Sequence, residues 1–225
     1  AGSDVIKLMA TGGVMTPGVN PEDAHYTEEE LRVGVDEGHR FHRTCASHAQ
    51  GAAGILNAVR AGMDSIEHGI FMTQECLEAM LEKGTYLVPT LAAVNNIYNN
   101  RDNGIPDFIV EKTIRVRERH HQSIKMFYEA GGKIAMGTDA GTPFNVHGDN
   151  SQELQFMVDL GISNSDALSF STADAADLMG LTDRGQISEG YIADLLIVSG
   201  NPVEDISVVA NQKNHRRVIK NGALV

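Results

Sequence analysis

The chain has 225 residues, 42% of them hydrophobic, which suits a folded protein with a substantial core and argues against disorder or a collagen-like repeat. Lys and Arg number 18 against 30 Asp and Glu, a formal net charge of -12, so no basic field exists to replace the counterions of a nucleic-acid backbone. Cys45 and Cys76 permit at most one disulfide. No apolar run is long enough for a membrane span, and no basic segment precedes an apolar one at the amino end. A cytoplasmic protein is expected, although a periplasmic or secreted one with its leader removed would read the same way. Ala1-Gly2-Ser3-Asp4 passes into an apolar run without an initiating Met, as a cut through a longer chain would.

Short β-rich runs alternate with longer helical ones, the rhythm of βα units around a parallel sheet. Five parallel strands are expected, at 5–9, 44–48, 63–67, 86–90 and 133–138. Between them, Thr27 and Glu30 form a capping box before a helix running toward His42, and Gly51 to Arg60 reads as a short Ala-rich helix. Thr73 caps the next helix and Gly84 stops it. Ala93 to Pro106, rich in Asn, reads as a loop or irregular helix start with the length of a lid or site wall. Pro106 suits the beginning of a long helix from about Asp107 to Glu129, ended by Gly131 and Gly132.

Beyond Thr138 comes a polar loop from Asp139 to Asn150, then helices at 152–158 and 165–179, the second capped by Ser163 with Asp166. The tail turns to strands at 192–198 and 216–219. Asn221-Gly222 between Val218-Ile219 and Leu224-Val225 signals a two-residue hairpin. A first domain over 1–184 and a β portion over 185–225 are expected.

Unusual residues fall at strand ends. Lys7 lies within Val5-Ile6-Lys7-Leu8-Met9; His48, His68 and Asp139 end the second, third and fifth expected strands. In parallel βα architectures the carboxyl ends of strands carry the ligand and catalytic groups, so these four point at one mouth. Two neutral imidazoles and a carboxylate suit a divalent metal such as zinc, whose bound water becomes a hydroxide near neutral pH. Asp139 can bind metal and also take that proton. A lysine amine that has added carbon dioxide becomes a carboxylate able to bridge two metals. The structural alternatives are His48 as a supporting residue, Lys7 reaching the rim or pairing with a carboxylate, and Asp139 capping a turn. His25 and Tyr26 after the first strand, and His147 after Asp139, are candidates for substrate contact. His39, His42, His120 and His121 read as surface or packing residues.

These stretches, with Ala10-Thr11-Gly12-Gly13, His48-Ala49-Gln50-Gly51, Val88-Pro89-Thr90, Gly137-Thr138-Asp139-Ala140-Gly141 and the tail from Gly185 to Val198, resemble the amidohydrolase superfamily. The similarity is to its imidazolonepropionase-like branch and to prolidase-like metal-dependent dipeptidases and carboxypeptidases. It implies a partial (β/α)8 barrel, strands four to eight, with the carboxy-terminal β segment of a small sandwich domain. It also implies one or two Zn2+ or similar ions, with Lys7 as the carboxylated lysine, His48 and His68 as ligands, and Asp139 as ligand and proton shuttle.

The His-x-His pair of the family's first strand has no counterpart, so the resemblance covers the second half of such a protein. A half barrel leaves open edges. The partner would be the missing amino-terminal half or, in a homo-oligomer, a second copy covering those edges. The function implied is metal-dependent hydrolysis of C–N bonds in a small amide or dipeptide, latent or dependent on the missing half. The alternatives are hydrolysis of a cyclic amide of the imidazolone or hydantoin type, or a catalytically inactive binding or assembly module.

Overall fold

The computed structural model describes residues 2–225. Its first layer is a four-stranded parallel sheet of β1 (Val5–Met9), β2 (Thr44–Ala49), β3 (Ser65–His68) and β4 (Tyr86–Val88), in sequential order. The register pairs Lys7 with Ala46, Met9 with His48 and Ala49 with His68. The strand ends carrying polar side chains therefore lie side by side.

Three helices return the chain between these strands: α1 (Glu28–Arg40), α2 (Ala52–Ala61) and α3 (Gln74–Lys83). Thr27 Oγ1 accepts from the Glu30 amide at 3.3 Å while the Thr27 amide donates to Glu30 Oε2 at 2.8 Å, the reciprocal box read from the sequence. Leu31, Val35 and Gly38, spaced along one face of α1, are buried against the sheet. A Cβ on Gly38 would collide with Cys45 Sγ. Both cysteines are free and buried, and burial with the nearby Asp64 carboxylate pushes the Cys45 thiol up to about 11.

Three expectations are corrected. The first half of the segment from Ala93 to Pro106, read as a loop or irregular helix start, belongs to α4 (Leu91–Asn99), with Leu91, Ala92, Val94 and Ile97 buried. Its start is hidden locally because the cap comes from far away: both oxygens of Glu153, itself fully buried, accept the amides of Leu91 and Ala92 at 2.7 Å. The fifth expected strand reaches β4 only through a bridge between Leu87 and Ile134, then departs as the Met136 amide donates to the Phe170 carbonyl at 2.8 Å.

After α5 (Asp107–Glu129) and α6 (Gln152–Asp159), the single helix expected at 165–179 is two, α7 (Asn164–Phe170) and α8 (Ala173–Leu178). Ser171 Oγ and Thr172 Oγ1 both donate to the Leu168 carbonyl, at 2.9 and 2.7 Å, so side chains occupy the acceptor that a continuous helix would use. The Ser163 cap is present, its hydroxyl accepting from the Asp166 amide at 3.1 Å.

The tail forms an antiparallel sheet of β5 (Leu195–Val198), β6 (His215–Lys220) and β7 (Ala223–Leu224), with the short α9 (Ser207–Ala210) before β6. Asn221 and Gly222 turn the hairpin with φ of 52° and 77°, the positive pair such a turn requires. Ile206 joins the main core, so the tail is packed onto the body.

Candidate active site

A cavity of about 500 Å³ opens at the carboxyl ends of the strands and is lined by Lys7, His48, His68 and Asp139 together. The convergence expected from the sequence is therefore present. His68, Asp139 and Thr90, which precedes α4, are non-glycine residues with positive φ, 73°, 54° and 55°. Such backbone is uncommon and costs of the order of 1–3 kcal/mol per residue, and all three strained positions lie at the cavity end of the sheet.

The two imidazoles are packed edge to face with centroids 4.6 Å apart. Burial holds the ring of His48 below its ordinary pKa, and burial followed by the neighbouring His48 holds His68 well below, so both are neutral and keep a lone pair. His68 Nδ1 lies 2.6 Å from Thr90 Oγ1, leaving Nε2 for the cavity. His48 Nε2 lies 2.9 Å from the Gly12 carbonyl. Behind the pair, His120 is fully buried with Nε2 2.8 Å from the Pro89 carbonyl, a packing role as read from the sequence.

Lys7 is ion-paired with Glu67 through Nζ and Oε2, and Ser65 Oγ donates to the other Glu67 oxygen at 2.6 Å. This is the carboxylate pairing held open for Lys7 above. Asp139 is exposed at the rim; its carbonyl accepts from Thr142 Oγ1 and Asn145 Nδ2. Of the substrate-contact candidates, His25 lines the cavity, whereas Tyr26 and His147 are exposed outside its lining. Gln50, Thr90 and Glu67 were not singled out for the site. Gln50 lines the cavity, its amide bonded to Thr11 Oγ1 at 3.0 Å.

In kind, the donor set fits a divalent ion: two buried neutral imidazoles and a carboxylate around one cavity. In placement the fit is partial. His48 Nε2 faces a carbonyl, and carboxylation of Lys7 would set a second anion against Glu67. The one group of three His, Cys, Asp or Glu donor atoms within 4.8 Å, among the described residues, is His39, Cys45 and Asp64 at the amino ends of β2 and β3. There Asp64 Oδ2 already meets His39 Nε2 at 2.8 Å and the Cys45 amide at 2.7 Å.

The sequence matches the model of the amidohydrolase family over residues 1–225. The chain belongs to that family. The ochratoxinase of Aspergillus niger is 36% identical over 228 residues, covering 99% of this chain and 46% of its own length. Among solved structures, a Xaa-Pro dipeptidase with methionine bound in its active site is 39% identical with a TM-score of 0.92, matching 100% of this chain and 55% of that one. A prolidase complexed with N-methylphosphonate-L-proline is 31% identical with a TM-score of 0.91, again at 100% and 55%. The chain thus spans about half the length of these amidohydrolase relatives, and its partial-barrel fold is theirs in part. Among the described residues, no helix is long and apolar enough to cross a membrane.

Proposed function

We propose that the cavity is part of a metal-dependent hydrolase site for C–N bonds, of amidase or peptidase type, in a protein longer than these 225 residues. The supporting observation is the meeting of His48, His68, Asp139 and Lys7 at one mouth. That the relatives are named as an ochratoxinase, a Xaa-Pro dipeptidase and a prolidase agrees with it. The substrate class is a small amide or dipeptide.

His48, His68 and Asp139 would hold a divalent ion such as Zn2+, with Lys7 as a further ligand if carboxylated. When bound, the ion supplies a hydroxide nucleophile near neutral pH and polarises the amide carbonyl. Burial keeps the imidazoles unprotonated and available as ligands. Thr90 fixes the ring of His68 through Nδ1. Asp139, on a strained and exposed turn, takes a proton at its carboxylate and returns it to the leaving nitrogen. His25, which lines the cavity, would contact substrate, while Tyr26 and His147 would need their loops to move inward.

The edge of β1, which among the described residues has β2 as its one neighbour in the sheet, is the proposed seat of additional strands from an amino-terminal half or a second copy. Metal analysis with native intact mass tests the reading. At least one equivalent of zinc or a similar ion is expected, with an added mass near roughly 44 Da where Lys7 is carboxylated. His68→Ala should remove the metal and abolish hydrolysis in an active preparation. A metal-free protein, or full activity in that variant, would refute the assignment.

A further inference from the structure

The segment from Ala10 to His25 leaves the end of β1 and forms one wall of the cavity, contributing Val14, Met15 and Val19 to its lining. Its base is closed by its own backbone: the His25 amide donates to the Ala10 carbonyl at 2.8 Å, the Gly12 amide to the Asp23 carbonyl at 3.2 Å, and Thr11 bridges to Ala24. Its tip has no such closure. It is held by contacts from elements remote in sequence. Val14 packs on the cluster of Ile70, Val94 and Val116. On the other side, Lys112 of α5 directs its ammonium into the loop and donates to the carbonyls of Val19 at 2.5 Å, Thr16 at 2.7 Å and, more distantly, Gly13 at 3.5 Å.

The geometry is that of a point charge inside a cage of converging carbonyls. An ammonium has three donors and no acceptor, so it can serve the three oxygens at once, and charge-assisted hydrogen bonds are the stronger kind. One turn further along α5, Arg115 reinforces the arrangement by donating to Asn20 Oδ1 at 2.6 Å.

We infer that Lys112 is a positioning residue that latches the 13–19 loop into the wall of the cavity and thereby sets the space open to the apolar part of the substrate. This rests on the hydrolase reading for its consequence in turnover, but not for the latch itself. The hydrogen bonds of Lys112 go to the carbonyls of the loop and not to His48 or His68.

Amide hydrogen exchange on the protein containing this chain tests the latch without any assay of activity. In Lys112→Met the amides of residues 13–19 should exchange about tenfold faster, with the sheet and α5 unchanged, because a local opening loses its main polar restraint. Lys112→Arg, which keeps the charge on a bulkier fork, should recover part of the protection. In an active preparation Lys112→Met should raise KM about three- to tenfold for an amide with a large apolar side chain while kcat stays within about twofold, a loss of ground-state and transition-state binding alike. Unchanged exchange in the loop would overturn the inference, as would acceleration spread evenly through the chain in both variants. An inactive protein that still shows the local exchange change would sink the hydrolase reading and leave the latch standing.

Discussion

At Lys7 the observed ion pair and the proposed carbamate exclude each other. As an ammonium it satisfies Glu67; as a carbamate it would face that carboxylate with like charge. Glu67→Gln removes the competing anion, so under added carbon dioxide the variant should show a higher fraction of the roughly 44 Da adduct than the parent in native mass spectra, and an equal fraction would show that Glu67 does not control Lys7. Thr90 is the second instructive residue. Its hydroxyl fixes the ring of His68, the proposed metal ligand, and groups that orient a metal-binding imidazole in this way typically change metal affinity ~10- to 100-fold when removed. Thr90→Val should therefore weaken Co2+ binding by a factor of that order, read from the visible absorption of the cobalt form, with the thermal midpoint little changed. At this scale the sequence was legible where a polar side chain interrupts an apolar strand, as Lys7 and His68 do. Thr90 and Gln50 were not, because their roles arise only from what stands opposite them.

Among the elements, α1 was legible at its first residue because its start signal, the Thr27–Glu30 box, is local. Thr27→Ala should cost about 1 kcal/mol in urea denaturation, the usual worth of such a cap. α4 is the opposite case. Thr90 gives it no side-chain cap, and the amides of its first turn are served by Glu153, which lies in the first turn of α6. A pattern confined to 90–106 contains no trace of that side chain, so an Asn-rich helix reads as a loop or an irregular helix start. The break between α7 and α8 was missed for a related reason: the hydroxyls of Ser171 and Thr172 could as well have faced solvent, and their return to the Leu168 carbonyl is set by packing. The fifth strand failed by degree, since its residues lie beside β4 but make a single bridge before the chain turns away.

For the molecule as a whole, two buried titratable groups impose opposite slopes of stability on pH. Burial raises Glu153 to about 8. The native state therefore holds a proton that the unfolded chain releases above about 4.5, and stability falls as pH rises through the interval between those values. Burial lowers His120 to about 3. Here the unfolded chain takes up a proton below about 6.5 that the native state refuses, so stability is lost on acidification from there toward about 3. Urea midpoints should accordingly decline toward acid less in His120→Gln than in the parent, and decline toward pH 8 less in Glu153→Gln; parallel curves for parent and variant would refute the assignment.

The Cys45 thiol, closed in by Gly38 and held protonated by its surroundings, has a practical corollary. Alkylating reagents consume thiolate, and at neutral pH this sulfur offers them almost none until α1 lifts from β2. Its labelling rate is thus an internal clock for the separation of those two layers, readable peptide by peptide in a mixture, with no need for the substrate or metal to be known.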